Sequence, residues 1–282
     1  MGNVYKVSHT KLSLFRRCLQ SFEWKYGQKL FPPSGIGQLR GSAGHSALAE
    51  WHVSYDEVKA LDAAWQTWSN GGQPDNAEWQ LLETSLARYF QFSRDNDKFT
   101  VLEAEREFFL AYPVTVQGDE WHVELTGFID AVIEEPNGRR SLLENKFYKR
   151  MDNSSKEMDM QVAIYLLASR ELGYNIDGGV LYNMVRVADS KVAITEPVVR
   201  QRVYRNSLGL DRVLGEVLAQ SKAMIQFEHY SGKEVFRNPT KDCSWDCPFH
   251  QPCLSMTDDG MEPKELLLKA CNIRSSDNDE TS

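Results

Sequence analysis

Residues 127–147 read Gly127-Phe128-Ile129-Asp130-Ala131-Val132-Ile133-Glu134-Glu135-Pro136-Asn137-Gly138-Arg139-Arg140-Ser141-Leu142-Leu143-Glu144-Asn145-Lys146-Phe147. Two apolar runs flank a Pro-Asn-Gly turn, which predicts antiparallel strands over Trp121–Glu134 and Ser141–Phe147. Each run is broken by charge, Asp130 in the first and Glu144 with Lys146 in the second. Neighbouring strands would bring Asp130 and Glu144 together, and two close carboxylates repel unless a cation or proton lies between them. Glu144 and Lys146 are two apart and so share a strand face, which sets an ammonium beside such a cation. Metal, carboxylates and lysine suit phosphodiester hydrolysis. The same residues can instead form an Asp–Lys–Glu ion-pair network on a solvent-facing sheet edge.

Upstream of this pair the period changes from two to about 3.6. Leu12, Phe15, Leu19, Phe22 and Tyr26 recur at helical spacing, with Ser8 or Thr10 as N-cap and Gly27 as the stop. Further helices are predicted over Ser42–His52, Asp56–Ser69 and Ala77–Asn96, the last two separated by the turn-rich Asn70–Asp75, before a strand at Thr100–Tyr112. Downstream, a helix is expected at Lys156–Leu172, strands at Gly178–Val185 and Lys191–Val199, and a long helix at Arg202–Phe227. Ser231–Leu254 reads as irregular, followed by a short helix near Pro263–Cys271 and a disordered acidic tail, 275–282. Strands separated by a helix give an α/β core. The expected organisation is one domain over 1–274, with a helical region at 10–99, sheet and helix at 100–200, and a long helix with a cysteine-rich cap at 201–254.

The whole chain has 282 residues, is 41% hydrophobic, and carries a net charge of −8. That composition supports a sizeable core and argues against an indiscriminate polyanion binder. The charge is uneven, however. Residues 1–45 hold Lys6, Lys11, Arg16, Arg17, Lys25, Lys29 and Arg40 against Glu23 alone, whereas residues 46–87 hold seven acids against Lys59. A basic face can therefore coexist with an acidic total, although both runs also suit ordinary solvated helix faces. No apolar run approaches the ~20 residues needed to span a bilayer, and Met1 to Ser13 lacks the apolar centre of a signal peptide. The expectation is a soluble cytoplasmic chain with no membrane partner.

Two further neighbours bear on the charged strands. Gln161 and Tyr165 are four apart on one helix face, and Arg40-Gly41-Ser42-Ala43-Gly44-His45 opens a helix with small residues that let a backbone come close to a ligand. The order His45, Gly127-Phe128-Ile129-Asp130, Glu144-Asn145-Lys146, Gln161-x3-Tyr165 resembles RecB-type nucleases of the PD-(D/E)XK superfamily. The resemblance implies a restriction-endonuclease-like core with a mixed sheet. It also implies Mg²⁺ or Mn²⁺ held by His45, Asp130, Glu144 and the backbone carbonyl of Asn145. Lys146 would orient the attacking water, and Gln161 and Tyr165 would contact the DNA strand.

Five cysteines in such a chain are read as metal or cluster ligands rather than disulfides. Cys243, Cys247 and Cys253 lie within eleven residues of turn-rich sequence, and Cys18 is the candidate fourth ligand, since Cys271 lies nearer the polar tail. One early cysteine with a late C-x3-C-x5-C resembles the iron–sulfur RecB-like subgroup, which includes CRISPR-associated exonucleases and AddAB-type nuclease domains. The subgroup more often has C-x2-C at the first pair. The resemblance implies a 4Fe-4S cluster on Cys18, Cys243, Cys247 and Cys253, while four thiolates also satisfy tetrahedral zinc.

These readings together describe a metal-dependent DNA exonuclease, acting on single strands or exposed ends in recombination, repair or spacer acquisition. Arg16 and Arg17 would meet backbone phosphates. No G-x4-G-K-[ST] phosphate loop occurs in the sequence, so unwinding would require a helicase or recombination partner. The alternatives are a non-catalytic DNA-binding or assembly subunit that keeps the fold, and an endonuclease.

Overall fold

Along the chain run β1 (Asn3–Ser8), α1 (His9–Arg17), α2 (Leu19–Phe22), a π turn (Glu23–Gly27), β2 (Leu30–Phe31), α3 (Ile36–Ser54), α4 (Glu57–Asn70) and α5 (Asn76–Asn96). There follow β3 (Thr100–Val116), β4 (Asp119–Glu134), β5 (Arg140–Tyr148), a 3-10 turn (Lys156–Met158), α6 (Met160–Glu171), β6 (Val180–Arg186) and β7 (Val198–Val203). The chain closes with α7 (Ser207–His229), α8 (Cys243–Asp246), α9 (His250–Ser255) and β8 (Asn272–Ile273). This computed structural model describes residues 2–71, 75–149, 156–188, 191, 194–232, 234–256 and 272–273. It divides into two units, one of Met1–Gly35, Phe109–Gly127 and Leu214–Ser282, the other of Ile36–Phe108 and Phe128–Val213.

In the second unit the strand pair expected from residues 127–147 is present. β4 and β5 run antiparallel, with Ala131 opposite Leu143 and Glu134 opposite Arg140, and Gly138 takes the positive φ of +81° that the turn between them requires. β5 pairs in parallel with β6, and β6 antiparallel with β7, so the sheet is mixed. α3, α4 and α5 pack around a core in which Ala43, Ala47, Ala60 and Ala64 let helices approach, while Trp51, Trp68, Tyr89 and Phe90 fill the volume. Every residue of α6 from Val162 to Ser169 is buried, which explains its near-continuous apolar sequence.

In the first unit β1 lies parallel to the start of β4, from Asn3 opposite Trp121 to Ser8 opposite Thr126. Ser8 caps α1 by accepting from the Lys11 N–H, as its sequence position suggests. Phe22 packs against Phe15 and Phe227, with ring centroids 5.0 and 5.9 Å away.

Five element readings are corrected. No local sign in the sequence marks β1, because the short run Asn3–Ser8 is secured by a partner more than a hundred residues away. The single helix expected over 10–26 breaks at Cys18, whose φ of −164° and ψ of 114° are extended. The strand expected at Lys191–Val199 starts at Val198, and the helix expected from Arg202 starts at Ser207, because Arg200 and Arg202 lie in β7 and pair with Asp97 and Glu135. Ser231–Leu254 contains two short helices, α8 and α9. The expected helix near Pro263–Cys271 and the acidic tail 275–282 lie outside the described residues.

Candidate active site

The β4–β5 ladder ends at Ala131 and Leu143, so Asp130 and Glu144 are the first residues beyond it. There the backbone N–H of Asn145 donates to Asp130 Oδ2 at 2.6 Å. Both carboxylates are buried, Asp130 to 7% and Glu144 to 1% exposure, where an unpartnered charge is costly. His45 arrives from α3 and sets its Nδ1 3.4 Å from Asp130 Oδ2. The helix comes this close because residue 44 is glycine; a Cβ there would stand 2.4 Å from the Phe147 ring of β5.

Lys146 Nζ lies 2.5 Å from Glu144 Oε1. The contact is outside hydrogen-bonding geometry, and among the described residues neither Glu144 oxygen accepts a hydrogen bond. Lys146 instead donates to Gln161 Oε1 at 3.0 Å, and Gln161 Nε2 contacts the Tyr165 hydroxyl at 2.6 Å. The start of α6 is fixed by Asp159, which caps the Gln161 N–H with one carboxylate oxygen and accepts from Tyr182 with the other. The expected set His45, Asp130, Glu144, Asn145, Lys146, Gln161 and Tyr165 is thus drawn into one neighbourhood.

Burial would lower the His45 pKa, but the adjacent Asp130 charge, with Glu144, raises it to about 9, so in the metal-free site it forms an ion pair. Burial would raise Asp130, yet His45, Lys146 and the Asn145 N–H hold it below the ordinary carboxylate value. For Glu144 burial dominates; Lys146 opposes and Asp130 assists, and the group is pushed up to about 7. Lys146 is raised despite its burial, by Glu144.

Three contributors were not read from the sequence. The first is Glu105 of β3, at a φ of +49° that L-residues rarely adopt inside a strand. A carboxylate oxygen of Glu105, a ring nitrogen of His45 and a carboxylate oxygen of Asp130 all lie within 4.8 Å of one another. Although Glu105 as a residue is exposed, lost hydration at its carboxyl and the Asp130 charge push it up to about 7. The others are Asn183, which donates to Asn145 Oδ1 at 2.8 Å, and Arg200, whose Nε donates to Asn183 Oδ1 at 3.0 Å while its Nη2 pairs with Asp97. They brace the back of β5. Only the regular spacing of Glu103, Glu105 and Glu107 hinted at the first, and nothing local marked the other two.

The first unit carries the cysteines. Cys18, Cys243, Cys247 and Cys253 are free thiols, each partly exposed. Ser21 Oγ lies 3.8 Å from Cys247 Sγ, Gln20 N–H donates to Phe236 O, and Asn238 Nδ2 donates to Arg17 O, which ties the Cys18 segment to residues 236–247. Burial raises the Cys18 thiol, but the backbone N–H groups of Ser21, Asn238 and Gln20 outweigh it and leave the pKa lowered. Thr240 N–H points at Cys243 Sγ from 3.3 Å. Trp24, Leu30 and Phe249 form an apolar wall against Cys247 and Cys253. Arg17, expected to meet DNA, pairs with Asp246 at 2.8 Å, and the exposed Arg16 donates to Ser13 Oγ.

Among the described residues no helix is long and apolar enough to cross a membrane. No curated protein matches the chain. The crystal structure of SSO0001 covers 89% of this chain and 86% of its own at 14% identity, with a TM-score of 0.40, a likeness too distant to carry an argument. A family model described as the PD-(D/E)XK nuclease superfamily matches residues 6–254, a span that includes His45, Asp130, Glu144, Lys146, Gln161 and Tyr165. With that match over most of the chain and a mixed α/β core beneath it, the protein belongs to the PD-(D/E)XK nuclease superfamily.

Proposed function

We propose that the second unit is a Mg²⁺- or Mn²⁺-dependent deoxyribonuclease that works exonucleolytically on single strands or exposed DNA ends. The observation that carries the reading is the close trio of His45, Glu105 and Asp130, beside Glu144, a carboxylate at 1% exposure that pairs through one oxygen with Lys146 and accepts no hydrogen bond among the described residues. Such a donor set suits a hard divalent cation and is costly without one.

His45, Asp130, Glu144 and the Asn145 carbonyl are the proposed ligands, with Glu105 as an additional carboxylate. The bound ion would supply acidified water and offset charge growing on the phosphate. As a ligand His45 would be neutral, having released the proton it holds beside Asp130. Asp130 is held in place by the Asn145 N–H, and Asn145 in turn by Asn183. Lys146, aligned by Gln161, sets a fixed positive charge where charge develops in the transition state. Gln161 and Tyr165 present amide and hydroxyl groups for the strand being cut.

The proposal extends to a 4Fe-4S cluster on Cys18, Cys243, Cys247 and Cys253 in the first unit. The tie between the Cys18 segment and residues 236–247 and a backbone N–H aimed at Cys243 Sγ support it, since clusters are tuned by such hydrogen bonds. The thiols themselves are shifted in opposite directions, Cys18 down and the half-buried Cys247 up. Arg16 and Arg17 add phosphate contacts, a partner helicase or recombination protein supplies opened strands, and the setting is recombination, repair or spacer acquisition in the cytoplasm. Calorimetric titration with Mn²⁺ tests the metal reading: wild type should bind, and Asp130→Asn should bind at least tenfold more weakly. Equal affinity for the two would refute it.

A further inference from the structure

Glu78, in the first turn of α5, is gripped by two cations. Its Oε2 lies 2.8 Å from Arg40 Nη1, and its Oε1 pairs with Lys149 Nζ. Arg40 precedes His45 by five residues on α3, and Lys149 follows Lys146 by three, one residue past the end of β5. The two cations therefore come from the same helix and the same strand end as the candidate active site. They are offset from His45 and Lys146 by about 7.5 Å along the helix axis and about 10 Å along the chain, with Arg40 about 140° around the helix from His45.

Arg40 is only 9% exposed, and its Nε has no hydrogen-bond partner among the described residues, so part of the guanidinium fork is buried with its donor unused. Lys149 is half-open to solvent, with its side chain 47% exposed. A guanidinium and an ammonium converging on two oxygens of one anion is the arrangement that recognises phosphate as well as carboxylate. Glu78 also belongs to the acidic 46–87 stretch, a poor neighbour for DNA unless its charge is taken up.

We propose that Arg40 and Lys149 form a seat for a backbone phosphate of the bound strand, away from the scissile one, and that Glu78 fills this seat in the DNA-free protein. An incoming strand displaces the Glu78 carboxylate, so the contact restrains weak binding until a phosphate competes for the same donors. The inference rests on the reading of the second unit as a nuclease and adds a substrate subsite to it.

The test measures binding of a fluorescein-labelled oligothymidylate in EDTA, where no cleavage occurs, across a salt series. Glu78→Gln frees both cations and should tighten binding about tenfold at low salt with the log–log salt dependence unchanged, because the same phosphate is held in both complexes. Lys149→Gln, at an exposed site, should weaken binding and flatten the slope by about one, and Arg40→Gln should do the same if it folds. Mn²⁺ affinity should be unchanged in Glu78→Gln and Lys149→Gln. If wild type binds and cuts DNA but Glu78→Gln and Lys149→Gln match its affinity and slope, the triad is a structural tie and the inference fails alone. If wild type neither binds the oligonucleotide nor cuts DNA with Mn²⁺, the nuclease reading fails and takes the subsite with it.

Discussion

The Phe147 ring occupies the space that a side chain at position 44 would need, with ring carbons 2.4 Å from where a Gly44 Cβ would stand. Position 44 is therefore a contact point between α3 and β5, and His45 is the next residue. Gly44→Ala should cost about 1–3 kcal/mol through overpacking and should lower cleavage by displacing His45 from Asp130. Trimming the ring with Phe147→Leu in the same chain should recover most of both losses. A single Gly44→Ala variant of parent stability, measured by chemical denaturation, would show that the approach of the helix does not depend on the glycine.

Protonation of the metal-free site gives a pH dependence. The folded values of about 9 for His45 and about 7 for Glu144 and Glu105 lie above their ordinary values of 6.5 and 4.5. The folded chain thus holds these protons more tightly. Their stabilising contribution is complete below the ordinary values and is lost as pH rises through about 7 for the carboxyls and about 9 for the imidazole. Asp130 is lowered and acts in the opposite direction, but its window lies below 3.8. The thermal midpoint in EDTA should therefore fall between about pH 6 and about pH 9. Mn²⁺ should restore it most at high pH and release protons on binding, because ligands must be deprotonated. A midpoint in EDTA that rises over that range would contradict the assignment.

Removing charge from the buried pair separates catalysis from folding. Glu144→Gln, Asp130→Asn and Lys146→Met should each reduce cleavage by at least about 10²-fold, the usual scale for losing a fixed electrostatic contact in a transition state. Folding is read separately from the metal-free thermal midpoint, which Glu144→Gln should lower, because it leaves the partly buried Lys146 ammonium without its carboxylate partner. Parent-rate cleavage by any of the three would refute its role.

For the cysteine site, protein prepared without oxygen should be brown and carry about four irons per chain. Cys18→Ser should lose the colour and unfold more readily, because Cys18 sits at the break between α1 and α2 and its segment is tied to residues 236–247. Cys271→Ser should leave the colour unchanged. Colourless protein with one zinc per chain would identify the other tetrahedral thiolate site.

Much of the candidate site was legible because its logic is short-range. Glu144 and Lys146 share a face by strand alternation, Gln161 and Tyr165 by helical spacing, and the Pro136-Asn137-Gly138 turn fixed which strands would pair. Glu105 was not legible, since three glutamates alternate along β3 and only one has the left-handed backbone that accompanies its place in the site. The break at Cys18 was hidden because Phe15, Phe22 and Tyr26 keep a common apolar periodicity across it. Arg202 reads as the first residue of a helix and Arg200 lies between expected elements; backbone pairing with β6 makes both strand residues, and the distant Asp97 and Glu135 take up their charge.

The central claim is metal-dependent DNA cleavage by the site around Glu144, and the most direct measurement compares 5′- and 3′-end-labelled linear single strands with circular single strands. Wild type prepared without oxygen should degrade the linear DNA from an end in Mn²⁺ or Mg²⁺, spare the circle and stop in EDTA, while Asp130→Asn and Glu144→Gln leave every substrate whole. No cleavage of any DNA by metal-supplied wild type, or cleavage that survives both substitutions, would contradict the account.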